Sequence, residues 1–210
     1  IRFCDWSSDV CSSDLLVNGK PAFKEMARQF NLDAPGSQST QAAFFDYDRD
    51  GDLDMFLLNH SNHTYNPFLN TREQRAKPDF HLGNRLFRND KQPDGSMRFT
   101  DVTIQAGIVN NSLNFGLGIV ISDINQDGWP DVYTTSDYTE QDYYYVNNKN
   151  GTFTQSLQKS FTHISKYSMG ADIADYNNDG LPDVLTLDML PEDNYRQKLL
   201  KGADEYDQYH

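Results

Sequence analysis

Three nine-residue stretches place oxygen-bearing side chains at one repeated spacing: DYDRDGDLD at 46–54, DINQDGWPD at 123–131 and DYNNDGLPD at 175–183. All fit D-x-[D/N]-x-D-G-x-x-D. Carboxylates this close repel and raise one another's pKa unless a cation lies among them. Oxygens at positions one, three, five and nine suit a hard cation that takes six to eight oxygen ligands. Glycine at position six permits the tight or positive-φ backbone that wraps a chain around such an ion. The expected side-chain ligands are Asp46, Asp48, Asp50 and Asp54; Asp123, Asn125, Asp127 and Asp131; and Asp175, Asn177, Asp179 and Asp183. The backbone carbonyl of position seven, from Asp52, Trp129 or Leu181, is a further ligand, with the Asp52 side chain turned to solvent. Oxygen-only ligation disfavours zinc and copper. Magnesium prefers a stricter octahedron with retained waters, so three Ca²⁺ sites are expected. For one such stretch a plain Asp/Gly turn is a serious rival, but a solvated acidic run has no reason to keep its spacing three times. The helix–loop–helix calcium loop is disfavoured too. It needs a bidentate Glu at position twelve, where this chain has Leu57, Thr134 and Thr186.

Short strands flank each loop. AAFF (42–45), GLGIVIS (116–122) and GADIA (170–174) precede them; LDMFLL (53–58), DVYTT (131–135) and DVLTL (183–187) follow. Runs of this kind bounded by Gly, Asn and Asp are the all-β signal. Two more markers travel with the loops. LLVN (15–18), LFRN (86–89) and YYVN (144–147) each end in Asn, and Phe23, Phe99 and Phe153 lead a further strand. One cycle therefore reads strand, acidic loop, strand, Asn-ended strand, turn, Phe-led strand. Four strands per unit of roughly 50 residues match a propeller blade better than a helical repeat. Residues 60–83 have no counterpart in the second unit and read as an insertion between second and third strands. Phe23, Met26, Ala27 and Phe30 also carry helical spacing, so a strand followed by a short helical turn is expected there.

The chain has 210 residues, 37% apolar, and a net charge of −13, which makes a nucleic-acid backbone an unsuitable partner. Three Ca²⁺ would reduce that charge to −7. No run is long and apolar enough to span a membrane. Residues 1–15 are read as a non-native segment: DVCSSDL resembles the translated end of a sequencing-library adapter, and both cysteines, Cys4 and Cys11, lie inside it.

Together FGLGIVISDINQDGWPD (115–131), SMGADIADYNNDGLPD (168–183) and AAFFDYDRDGDLD (42–54) resemble the FG-GAP/VCBS repeats of integrin-α-like β-propellers. The first carries a literal Phe-Gly and the second a Met-Gly; the third has neither. NRLFRND…RFTDVTIQAGI (84–108) resembles the bacterial branch that carries an ASPIC/UnbV domain and is related to cartilage acidic protein. The resemblance implies a seven- or eight-bladed propeller, calcium in loops between the first and second strands of each blade, and an extracellular, cell-surface or periplasmic/outer-membrane location. The expected fold is all-β, about three four-stranded blades of a larger propeller, hence a fragment lacking its signal peptide. The division expected is 16–59 for a partial blade with the first loop and 60–83 for the insertion. Blades with the second and third loops follow at 84–136 and 137–190, then the start of another insertion at 191–210. The leading function is adhesion or binding of a protein or carbohydrate ligand, with no catalytic residues and calcium structural. The alternative is a calcium-dependent enzyme acting on polysaccharide, for which His60, His63 and His81, with Arg72, Arg75 and Lys77, form the candidate surface. The tyrosine run 143–145 reads as packing between blades ahead of a carbohydrate platform.

Overall fold

A computed structural model describes residues 11–17, 20–62, 71–138, 140–189, 192, 193 and 195. The expectations placed on residues 1–10, on His63 and on nearly all of 191–210 lie outside them. An opening hairpin, β1 (Cys11–Val17) with β2 (Lys20–Glu25), leads into the four-residue helix α1 (Ala27–Phe30). This is the strand followed by a helical turn that the spacing of 23–30 predicts.

Two antiparallel meanders follow. The first sheet is β3 (Ser39–Phe45), β4 (Asp54–Asn59), β5 (Arg85–Lys91) and β6 (Met97–Asp101), paired in that order. The second is β7 (Gly116–Ser122), β8 (Asp131–Ser136), β9 (Tyr143–Asn147) and β10 (Phe153–Gln155). A third unit pairs β11 (Ser168–Ala174) with β12 (Asp183–Asp188). The short helices α2 (Thr71–Arg75) and α3 (Leu157–Ser160) lie between β4 and β5 and after β10. The four-strand cycle is therefore the one read from the sequence, with each acidic loop joining the first and second strands.

The unit boundaries differ from those expected. The ladder runs directly from β4 to β5, Met55 opposite Phe87 and Leu57 opposite Arg85. Strands on either side of 60–83 thus belong to one sheet. The unit drawn at 84–136 spans two sheets: β5 and β6 complete the first, and β7 and β8 open the second.

Strand periodicity explains the stacking. Successive side chains alternate faces, and every residue of β4 and β8 is buried. Met55 and Leu57 join Ala27, Leu32, Phe87 and Phe99 on one side of the first sheet. Phe56 and Leu58 face the opposite way, into a core shared with Ile119, Val132, Tyr143 and Tyr145 of the second sheet. Tyr133 and Tyr144 point onward, to Leu157 and to Ile173 and Val184 of the third unit. The tyrosine run is thus core: Tyr143 and Tyr145 stack at 5.6 Å, and Tyr145 packs on Phe56 at 6.1 Å. Burying each such ring contributes about 2–3 kcal/mol. In β12 the residues equivalent to Phe56 and Leu58, Leu185 and Leu187, are 64% and 62% exposed.

Each first strand carries the same irregularity. The register shifts between Ser39 and Gln41, between Gly116 and Gly118, and between Ser168 and Gly170. Thr40, Leu117 and Met169 are the extra residues. This register makes Gly170 the equivalent of Gly118, so the Met-Gly of the third unit is not the counterpart of Phe115–Gly116 that the motif comparison suggested.

Asp142, fully buried before β9, accepts hydrogen bonds from the Ser136 amide, the Tyr133 hydroxyl and the Ser168 hydroxyl. Burial raises its pKa above the ordinary 3.8 despite those donors. The folded chain therefore holds this proton more tightly than the unfolded one, and stability falls as pH rises from the ordinary value through the raised one. Asp142→Asn should leave stability within about 1 kcal/mol at pH values where the wild-type carboxyl is protonated, since both hydroxyls can rotate to accept. It should also flatten the wild-type decline toward neutral pH, as read by denaturant titrations across that range.

Candidate metal centres

Loop backbones repeat as closely as loop sequences. Position four has a left-handed φ in all three, 62° at Arg49, 56° at Gln126 and 60° at Asn178. Position six does likewise, at Gly51, Gly128 and Gly180. Non-glycine residues hold this conformation at a cost of about 1 kcal/mol or more, so its recurrence marks one designed turn. The first Asp fastens it: the position-six amide donates to Asp46 Oδ2, Asp123 Oδ2 and Asp175 Oδ2 at 3.2, 2.7 and 2.9 Å. The position-seven amides of Asp52, Trp129 and Leu181 donate to Asp50, Asp127 and Asp179 at 3.1, 2.9 and 2.8 Å. These bonds aim the carboxylates of positions one and five toward one centre.

The second and third loops are near copies. Asn125 Nδ2 donates to Asp127 Oδ2 at 3.0 Å, and Asn177 Nδ2 to Asp179 Oδ2 at 3.1 Å. The first loop has Asp48 at that position and loses the internal donor. Ligand atoms of Asp46, Asp48 and Asp50 lie within 4.8 Å of one another. Asp46 Oδ1, Asp48 Oδ1 and Asp52 Oδ1 are buried without a hydrogen-bond partner. Burial, and then the Asp50 charge, push the pKa values of Asp48 and Asp52 up. Several carboxylate oxygens facing one another with no donor between them are the donor set a hard cation satisfies. The residues present therefore fit Ca²⁺. One detail departs from the sequence reading: the half-buried Asp52 turns an oxygen inward rather than to solvent, because position seven follows directly on the left-handed turn.

Position nine has a second task. Asp54, fully buried, accepts the Tyr47 amide at 3.1 Å and the Asn89 amide at 2.8 Å. Burial raises its pKa to about 7. Asp131 accepts the Asn147 amide at 2.9 Å and the Tyr144 hydroxyl at 2.8 Å. Asp183 accepts the Tyr176 amide at 3.2 Å. Each carboxylate oxygen keeps a second lone pair. Sequence reasoning missed the partners: Asn89 and Asn147 are the terminal residues of LFRN and YYVN. Their side chains reach back to the position-eight carbonyls of Leu53 and Pro130, each at 3.2 Å. The shared Asn marker was the available signal.

His63 of the sequence-predicted basic surface lies outside the described residues, while the backbones of His60 and His81 both bond to Gln38. His60 packs edge-on against Phe115 at 5.3 Å and borders a cavity of about 380 Å³ with Ser37, Gln38, Ser39, Thr40 and Leu117. The His81 ring lies against Gly36. Arg75 pairs with Glu140 at 3.1 Å, and Lys77 pairs with Glu73.

Four-stranded antiparallel meanders stacked face to face are consistent with the blades of a β-propeller. Residues 123–186, spanning the second and third loops, match the FG-GAP-like repeat family. Comparison with curated proteins gave no match.

Proposed function

We propose that this chain is a calcium-binding β-propeller module of an exported protein, part of a larger propeller of the ASPIC/UnbV-bearing branch. In it calcium is structural, and the blades present a surface for a protein or carbohydrate ligand. The observation that carries the reading is the trio of buried, unpartnered oxygens in the first loop. The repeated backbone of the other two loops and the FG-GAP-like match support it. A bound cation supplies the positive charge these carboxylates lack. Asp46, Asp48 and Asp50, and their counterparts in the other loops, would hold it; Asp54, Asp131 and Asp183 fix the base of each loop. No helix among the described residues is long and apolar enough to cross a membrane. A binding role is favoured over catalysis because, among the described residues, the one cluster of carboxylates lies in the first acidic loop, while Arg75 and Lys77 are held in ion pairs.

With affinities of extracellular modules, Kd would be on the order of 10⁻⁴–10⁻³ M, matched to a calcium-rich compartment. Calorimetric titration should then resolve three Ca²⁺ per chain, with Asp50→Ala, Asp127→Ala and Asp179→Ala each removing one. Thermal melts should rise with calcium over chelator, each site contributing about 1.4 kcal/mol at a tenfold excess over Kd. Absence of both binding heat and a melting shift at millimolar calcium would overturn the reading.

A further inference from the structure

Neighbouring loops touch, and they do so through the same position. Arg49, fourth in the first loop, holds its guanidinium 4.7 Å from the centre of the Trp129 ring, seventh in the second. A Cβ added at Gly128, the sixth residue there, would lie 3.9 Å from an Arg49 terminal nitrogen. Gln126, fourth in the second loop, donates Nε2 to the carbonyl of Gly180, sixth in the third, at 2.6 Å. One contact is a cation over an indole and the other an amide hydrogen bond, yet both run from position four to positions six and seven of the next loop. A buried amide adds to the first junction: Asn147 Nδ2 donates to the Tyr47 carbonyl of the first loop at 2.8 Å and to the Pro130 carbonyl of the second at 3.2 Å.

We infer that Arg49 and Gln126 are positioning residues that couple adjacent metal loops, so that a cation in one loop raises the affinity of the next. The inference rests on the calcium reading above. Position four lies between two ligand positions: Asp48 and Asp50 flank Arg49, and Asn125 and Asp127 flank Gln126. A cation held by the flanking residues fixes the left-handed backbone between them, and with it the root of the position-four side chain. That side chain then rests on the turn of the next loop, the stretch whose amides fasten Asp123 and Asp127, or Asp175 and Asp179. Each loop reaches its neighbour already shaped, and linkage makes the effect reciprocal. Contacts that were surface packing alone would change stability and leave affinity untouched.

Trp129 provides the readout. The chain has two tryptophans, so Trp6→Phe in the full-length chain leaves one indole, inside the second loop. Terbium, a hard oxygen-seeking cation, would be titrated with luminescence excited through Trp129. Asp50→Ala, which disables the first loop, should weaken binding at the second by about two- to fivefold, the size of an exposed cation–π contact. Arg49→Ala should weaken it by the same factor, and adding Asp50→Ala to it should change nothing more. Arg49→Lys, which keeps a cation over the ring, should recover part of the loss. A normal terbium signal whose affinity is indifferent to Asp50→Ala would overturn the coupling and leave the calcium sites standing. An Arg49→Ala protein that melts earlier but binds equally well would do the same. Absence of saturable luminescence together with absence of calcium binding heat would overturn the cation sites, and the coupling with them.

Discussion

Asp131→Ala should cost the folded chain about 3–4 kcal/mol in chelator, before any contribution from a bound cation. The carboxylate is wholly buried, and the donors it serves, the Asn147 amide and the Tyr144 hydroxyl, are buried with it. Removing it strands both, at about 1–3 kcal/mol each. Burial already raises the Asp131 pKa, so the site tolerates charge only because of those donors. Asp127→Ala is the contrast. Asp127 is a candidate ligand whose calcium-free partners, the Trp129 amide, the Asn125 side-chain amide and Lys149, lie in the loop where water can replace it, so its cost should be small in chelator and grow when calcium is present. Paired urea titrations with and without chelator separate the two. If the calcium-free penalties for Asp131 and Asp127 were equal, position nine would have no scaffold role of its own.

Gly116→Ala should cost about 2–3 kcal/mol, with Gly116→Val worse. A Cβ there would sit 2.5 Å from Leu58 Cδ1 and Cγ and 2.8 Å from the Asn59 carbonyl oxygen. Leu58 is fully buried between the first two sheets and has nowhere to retreat, and overpacking such a site typically costs 1–3 kcal/mol. The glycine of the Phe-Gly pair is therefore a point of closest approach between sheets. Gly170→Ala is the control: no atom lies within 4 Å of its added Cβ, and the residue is not in a left-handed conformation. It should change stability by no more than about 0.5 kcal/mol. Equal effects from the two substitutions in denaturant titrations would refute the packing account.

The candidate ligands and the four-strand cycle were legible because both are local. A metal loop needs its oxygens within nine residues, and a meander joins strands that are neighbours in sequence. The insertion at 60–83 was legible between second and third strands, and β4 does pair with β5 across it; the unit bounds were cut at that insertion, whereas the sheet closes only after its Phe-led strand. Asp52 was placed outward because side-chain direction there follows from two successive left-handed turns, which spacing alone does not report. The bonds from Asn89 to Asp54 and from Asn147 to Asp131 were invisible as bonds although both partners were visible as motifs. The sequence marks that Asn only as the end of a strand before a turn, which leaves it without a reason to recur there. The links from Arg49 to Trp129 and from Gln126 to Gly180 cross between units, and nothing within one repeat announces them.

The extra residue in each first strand separates display from architecture. Thr40, Leu117 and Met169 stand outside strict ladder pairing; Thr40 uses that place to donate its hydroxyl to the Leu58 and Gly116 carbonyls, at 3.3 and 2.8 Å. Within one molecule the same place already hosts a hydroxyl, a branched alkyl and a thioether without altering the strand that carries it. Thr40 and Leu117 also border the cavity beside His60, at the end of the strand away from the acidic loop, roughly 20 Å distant at 3.3 Å per residue. Each first strand thus carries one side chain that ladder pairing does not dictate. Leu117 and Met169 can therefore differ in shape and polarity at that rim while the acidic loops at the far end keep the frame unchanged.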